Sequence, residues 1–156
     1  MSDNFDRAFN YVVGAEGVYS DDPTDPGNWT GGIVDGVGQG EFKGTKYGIS
    51  AKSYPTLDIR NLTLAQAKEI YKRDYWDRIR LDVRPYGAAI CLFDCAVNQG
   101  VGAALSILDK VSTSSQPFLV AFQAERALLY VEAKTFKRNG RGWMRRLIRT
   151  ALEATK

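Results

Sequence analysis

Between Gly17 and Gly48 the chain carries seven further glycines (27, 31, 32, 36, 38, 40 and 44) and two prolines, Pro23 and Pro26. A helix does not survive that density, because each glycine forfeits backbone entropy and each proline removes a donor. Apolar periodicity is weak there too. The stretch therefore reads as loop with short antiparallel strands, and Ile33–Val37 and Thr45–Ile49 are the candidate strands. A loop-rich run of this length inside a compact domain is usually functional.

Helical patterns flank it. Phe5, Phe9, Val12 and Val13 recur at one-face spacing, so a first helix is expected from about Asn4, its N-cap, to Ala15 or Glu16, with Gly17 ending it. Thr63 and Gln66 form a capping-box pattern that opens a helix reaching about Arg78. Pro85 opens a helix over 86–98 that is apolar almost all round and hence central, and Gly100 stops it. A shorter helix is expected over 103–111 and a long one over 117–138, ended by Asn139-Gly140. A final amphipathic helix runs from Trp143 to about Ala154, with Met144, Leu147, Ile148 and Leu152 inward. The fold class is α+β, mostly α-helical, with a small β-rich lobe near the N-terminus.

At 156 residues and 44% hydrophobic, the chain is long enough to bury a core without staples. It contains no histidine. That excludes Ser-His-Asp and Cys-His catalysis and the common zinc sites, and leaves carboxylates, hydroxyls, amides, Lys and Arg to do any chemistry. Cys91 and Cys95 fall one helical turn apart in an apolar run and read as small buried hydrophobes. No cofactor and no metal is expected. Charge is uneven: residues 1–60 hold nine acids against five bases, and residues 134–156 hold eight bases against Glu153 alone. An acidic front and a basic tail suggest a catalytic end and an end that meets an anionic surface.

Among the acids, Glu16 stands out. It follows Phe9 by seven residues and Val12 by four, which continues the buried helix face to its C-terminal end. Burial and the negative end of the helix dipole both disfavour its charged form, as a general acid requires. The alternative is a glutamate that frays into water. Asp25 lies nine residues on, in a polar turn where it should stay ionised. A protonated and an ionised carboxyl across one cleft is the requirement of glycoside hydrolysis. Tyr19, Trp29, Tyr47, Asn98 and Gln99 supply the aromatic faces and amides that a sugar-binding cleft uses.

The segments EGVYSDDPTDPGNWTGG, KGTKYGIS (43–50), the run 51–80 ending in DYWDRIR, and FDCAVNQGVGAA (93–104) together resemble the glycoside hydrolase family 108 domain. Residues 105–156, with Arg141-Gly142-Trp143, are similar to the small peptidoglycan-binding region that commonly follows it. The resemblance implies a lysozyme-like fold, a catalytic region over 1–104 and a helical C-terminal region over 105–156 packed with it as one unit. It implies a lysozyme that cleaves the β-1,4 bond between N-acetylmuramic acid and N-acetylglucosamine, with Glu16 in the E-G-x-Y-S position. Val18 stands where the family most often has glycine. The wider group adds an aspartate and a threonine, for which Asp25 and Thr45 match best; Thr30 is a rival for the threonine, because an insertion over 31–44 makes that match ambiguous.

Peptidoglycan glycan strands are the expected partner. The basic C-terminal helix is either a solvated face or a footing on an anionic wall or membrane surface. Nucleic acid is not expected, and a monomer is. The opening MSDNFDRAFNYVV has no basic n-region and no secretory apolar stretch, so the expectation is synthesis in the host cytoplasm and action in the periplasm or wall after release through a membrane pore. A non-catalytic wall-binding module, a glucosaminidase and another wall hydrolase are the rival readings.

Overall fold

A computed structural model of the chain describes residues 3–14 and 17–156. The chain divides into two compact units, Met1–Ala8 with Lys72–Lys156, and Phe9–Tyr71. The fold is mostly helical, with a small β-rich lobe near the N-terminus, as its sequence pattern predicts.

Helix α1 (Asp3–Val12) ends earlier than the periodicity suggests. Its last turn is closed by the Val13 and Gly14 N–H groups on Phe9 C=O, and Gly14 at φ +81° turns the chain away. The expected helix end at Ala15 or Glu16 falls on residues outside those described. Glu16 itself lies outside the described residues.

In the β-rich unit, each predicted strand is a hairpin folded in two. Strand β1 (Tyr19–Ser20) pairs antiparallel with β4 (Thr45–Lys46), which pairs in turn with β5 (Ile49–Ser50). Strand β2 (Ile33–Val34) pairs with β3 (Val37–Gly38) in a separate ribbon. Both hairpins turn on two consecutive left-handed residues, Asp35-Gly36 and Tyr47-Gly48, the two-residue geometry that matches strand twist. Sequence periodicity over five residues does not reveal a reversal in its middle. Helix α2 (Leu64–Tyr71) closes the unit. Its capping box is formed: Thr63 N–H donates to Gln66 Oε1 at 2.9 Å, and Gln66 N–H to Thr63 Oγ1 at 3.2 Å. Ile49, Ala51, Ile59, Leu62, Ala67, Ile70 and Tyr71 form the core, with Phe9 edge-on to Tyr71 at 5.5 Å.

In the helical unit, the helix expected to reach Arg78 has already ended at Tyr71. A π turn (Lys72–Trp76) and two 3-10 turns (Asp77–Ile79, Leu81–Val83) follow, pivoting on Arg80 at φ +55°. Central α3 (Tyr86–Gln99) buries every residue from Ala89 to Ala96. Around it lie α4 (Val101–Ser112), α5 (Phe118–Glu132) and α6 (Phe136–Glu153). Phe5, Trp76 and Phe93 form an edge-on cluster with centroids 5.3–6.1 Å apart.

The break between the last two helices falls at 133–135, not at Asn139-Gly140. Gly140 is inside α6 because the Phe136 ring occupies the space a Cβ would need. Ile148 and Leu152 are exposed, not inward; Thr150 and Glu153 are the buried residues on that part of the helix. Cys91 and Cys95 are free and buried, and burial pushes their thiols up to about 12 and about 11. No helix among the described residues is long and apolar enough to cross a membrane.

Candidate functional site

The β-rich unit assembles its polar groups around Asn28, which is fully buried. The 3-10 turn Pro26–Asn28 begins at Asp25, whose Oδ1 accepts the Gly27 N–H at 2.8 Å. Asn28 N–H donates back to Asp25 C=O at 3.1 Å, and its side-chain Nδ2 donates to Asp22 C=O at 3.0 Å. Its Oδ1 accepts the Thr45 hydroxyl at 2.7 Å, and its carbonyl accepts both Lys43 and Gly44 N–H groups. One amide side chain thus joins the Asp22 loop to strand β4, and the same residue's backbone braces the Asp25 turn. Periodicity could not single it out, because a buried asparagine in a polar loop looks like any turn residue.

Asp25 is exposed, with Oδ2 not engaged by the turn. Thr45 is half-buried, and its proton is committed to Asn28, so its oxygen lone pairs are available to accept from an incoming O–H. Thr30 is employed differently: its Oγ1 accepts the Glu41 N–H at 2.8 Å across the base of the β2–β3 excursion. Asp22 is held well below the usual carboxylate range by the backbone and side-chain hydrogen bonds of Thr24.

The aromatic candidates of this unit divide by role. Trp29 donates its indole N–H to Pro23 C=O at 3.0 Å and packs on Phe42 at 4.8 Å, so it serves as the root of the excursion. Gly38 is needed beside it, because a Cβ there would overlap the indole. Tyr19 donates to Lys43 C=O at 3.0 Å and carries the Arg60 guanidinium over its ring at 4.7 Å. With Phe42, Lys43, Leu57 and Asp58 it lines an open cavity of about 380 Å³. Tyr47 holds a left-handed backbone, its carbonyl accepts the Tyr71 hydroxyl at 2.9 Å, and its ring fills the space beside Gly17 that a Cβ would need.

Asn98 and Gln99 belong to the helical unit and line another cavity of about 640 Å³ with Tyr130, Gly142, Trp143 and Arg146. Beneath it Asp94, 2% exposed, accepts from Arg126 Nη2 at 2.6 Å and from Thr150 Oγ1 at 3.2 Å. Glu125 meets Lys110 at 3.3 Å. Among the described residues, no group of three or more His, Cys, Asp or Glu side chains is arranged to hold a metal ion.

Comparison with known proteins finds a family model and solved structures that match. Residues 9–100 match the family model described as glycosyl hydrolase 108. Among solved structures, that of Brucella abortus SagA superposes with a TM-score of 0.75 at 23% identity, over 99% of this chain and 95% of that one. No curated protein matches the chain.

Proposed function

The chain belongs to the glycosyl hydrolase 108 family, and on that footing we propose that it is an endolysin-type muramidase, hydrolysing the β-1,4 bond between N-acetylmuramic acid and N-acetylglucosamine in peptidoglycan. The observation that supports this reading best is the Asn28 hub, which braces the Asp25 turn and orients the Thr45 hydroxyl. Glu16 is the general acid that protonates the glycosidic oxygen as the bond breaks. Asp25 carries negative charge opposite the oxocarbenium-like sugar and draws a proton from the attacking water. Thr45 accepts a hydrogen bond from that water, because its own proton is held by Asn28. Thr30 is less suited to this role, since its oxygen already accepts from the backbone of the excursion. A water attacking the face opposite the leaving group inverts the anomeric carbon.

Turbidity clearing and fragment analysis test the reading. Glu16→Gln should keep the wild-type melting temperature and lose on the order of 10²–10⁴-fold in rate. Asp25→Asn should lose less. Released fragments should carry muramic reducing ends of inverted configuration. Wild-type clearing by Glu16→Gln overturns the assignment of the acid. N-acetylglucosamine reducing ends would make the enzyme a glucosaminidase, and free stem peptides an amidase.

A further inference from the structure

We propose that the cavity between the end of α3, α5 and α6 is a second binding site, which takes a short peptide or acylated amino acid bearing a free carboxylate. At about 640 Å³ its size suits such a ligand. Three independent features of its wall specify the chemistry.

The first is a complementary pair of amides. Asn98 spends its NH₂ on Asp94, donating to the backbone C=O at 2.7 Å and to Oδ1 at 3.1 Å, which leaves its side-chain oxygen to accept. Gln99 spends its oxygen on Arg126 Nε at 2.6 Å and the Cys95 thiol at 3.4 Å, which leaves its NH₂ to donate. Both amide orientations are dictated by partners that cannot play the other role. The wall thus carries one open acceptor and one open donor, the two functions a peptide group requires.

The second is surplus positive charge. Arg126 is fully buried and Arg146 half-buried, and they share the single carboxylate of Asp94. Arg146 reaches it only at 3.6 Å, because Asp94 Oδ1 already accepts from Asn98 and Oδ2 from Arg126 and Thr150. Arg126 Nη1 has no partner at all. Arg146, on the cavity wall, is the group left to meet a second carboxylate.

The third is Gly142. Glycine weakens a helix interior, and its cost normally needs a packing reason. Gly140 has one, in the Phe136 ring; Gly142 has none, since a Cβ there would meet open space. Gly142 lies on the cavity wall beside Trp143, whose ring stacks on Tyr130 at 5.1 Å and 19° and offers an apolar wall.

If peptidoglycan is the substrate, as proposed above, the ligand is the stem peptide of the wall. Titration calorimetry on the full chain tests the site with N-acetyl-alanyl-alanine, its C-terminal amide and chitotetraose. The free acid should bind saturably, and the amide and the sugar at least tenfold more weakly. Arg146→Ala should weaken the acid at least tenfold. Gly142→Leu, which puts a bulky side chain on the cavity wall, should weaken binding at least tenfold while Gly142→Ala raises the melting temperature. Equal binding of acid and amide, tighter binding of the sugar, or undiminished binding by Gly142→Leu overturns the proposal. Hydrolysis of peptide-free glycan strands is assayed in parallel. Strand cleavage without peptide binding fails this site alone, and peptide binding without strand cleavage fails the muramidase reading alone.

Discussion

The hydroxyl of Thr45 donates a 2.7 Å hydrogen bond to the side-chain oxygen of Asn28, a residue with no exposed surface. The direction of that bond is fixed, because the nitrogen of the same amide is spent on Asp22 C=O. Asn28→Ala would orphan the Asp22 carbonyl side and the Thr45 proton together. A loss of about 1–3 kcal/mol in stability is expected from the unpaired groups. Activity should fall further than stability explains, measured as clearing rate on enzyme shown by thermal melting to be folded.

The two threonines that compete for the water-holding role separate experimentally. Thr45→Val removes the hydroxyl and should slow wall hydrolysis by about 10–100-fold, a range set by the loss of one oriented hydrogen bond in the transition state. Thr45→Ser should restore most of the rate. Thr30→Val should instead cost about 1 kcal/mol of stability by stranding the Glu41 N–H, with activity near wild type. The opposite pattern would transfer the role to Thr30.

Acid sensitivity should be concentrated at Glu153. Hydrogen bonds from Lys156, then Arg7 and Tyr86, hold its carboxyl at about 2, against an ordinary 4.5. Because the folded value is the lower one, the stabilisation is complete above pH 4.5 and drains away as pH falls from there towards 2. Arg7 and Lys156 are themselves 41% and 66% exposed, so screening reduces the effect to on the order of 1–2 kcal/mol. Glu153→Gln should be less stable at neutral pH and show a flatter melting profile over that acid range.

The Asp94–Arg126 pair is sealed in the helical unit, with both side chains at or below 2% exposure. Asp94→Asn leaves the guanidinium buried without its counter-charge, a change expected to cost about 3–5 kcal/mol by denaturant titration. A loss below about 1 kcal/mol would mean that water reaches Arg126.

Gly17→Ala should be poorly tolerated, since the new methyl would overlap the Tyr47 ring. Tyr47→Ala in the same chain should recover part of the lost melting temperature. Failure of that rescue would show that the ring is not what excludes a side chain at residue 17.

Much of the helical architecture was legible in the sequence, because apolar stripes, Pro85 and Gly100 act locally. The errors fall where tertiary contacts override local rules. Asn139-Gly140 reads as a stop, yet the Phe136 ring needs that glycine within α6. Tyr47 is a poor candidate for a left-handed turn, yet its ring and carbonyl are both held by neighbours distant in sequence. Asp25 and Thr45 are named through the family resemblance, not from spacing alone. Asn28, which links their surroundings, could not be named, since its importance lies in burial rather than residue type. Likewise Asn98 and Gln99 were legible as amides, but not as members of the helical cavity with Arg146 and Trp143.

The excursion 29–42 leaves and returns at one residue, since the carbonyl of Asn28 accepts from Lys43 and Gly44 on the way back. Its ends are therefore already neighbours before the ribbon begins. Such a segment behaves as a plug-in cassette: it can be shortened, swapped or decorated with the scaffold beneath it left in register, so new surface specificity can be acquired without rebuilding the hydrogen bonds at its foot.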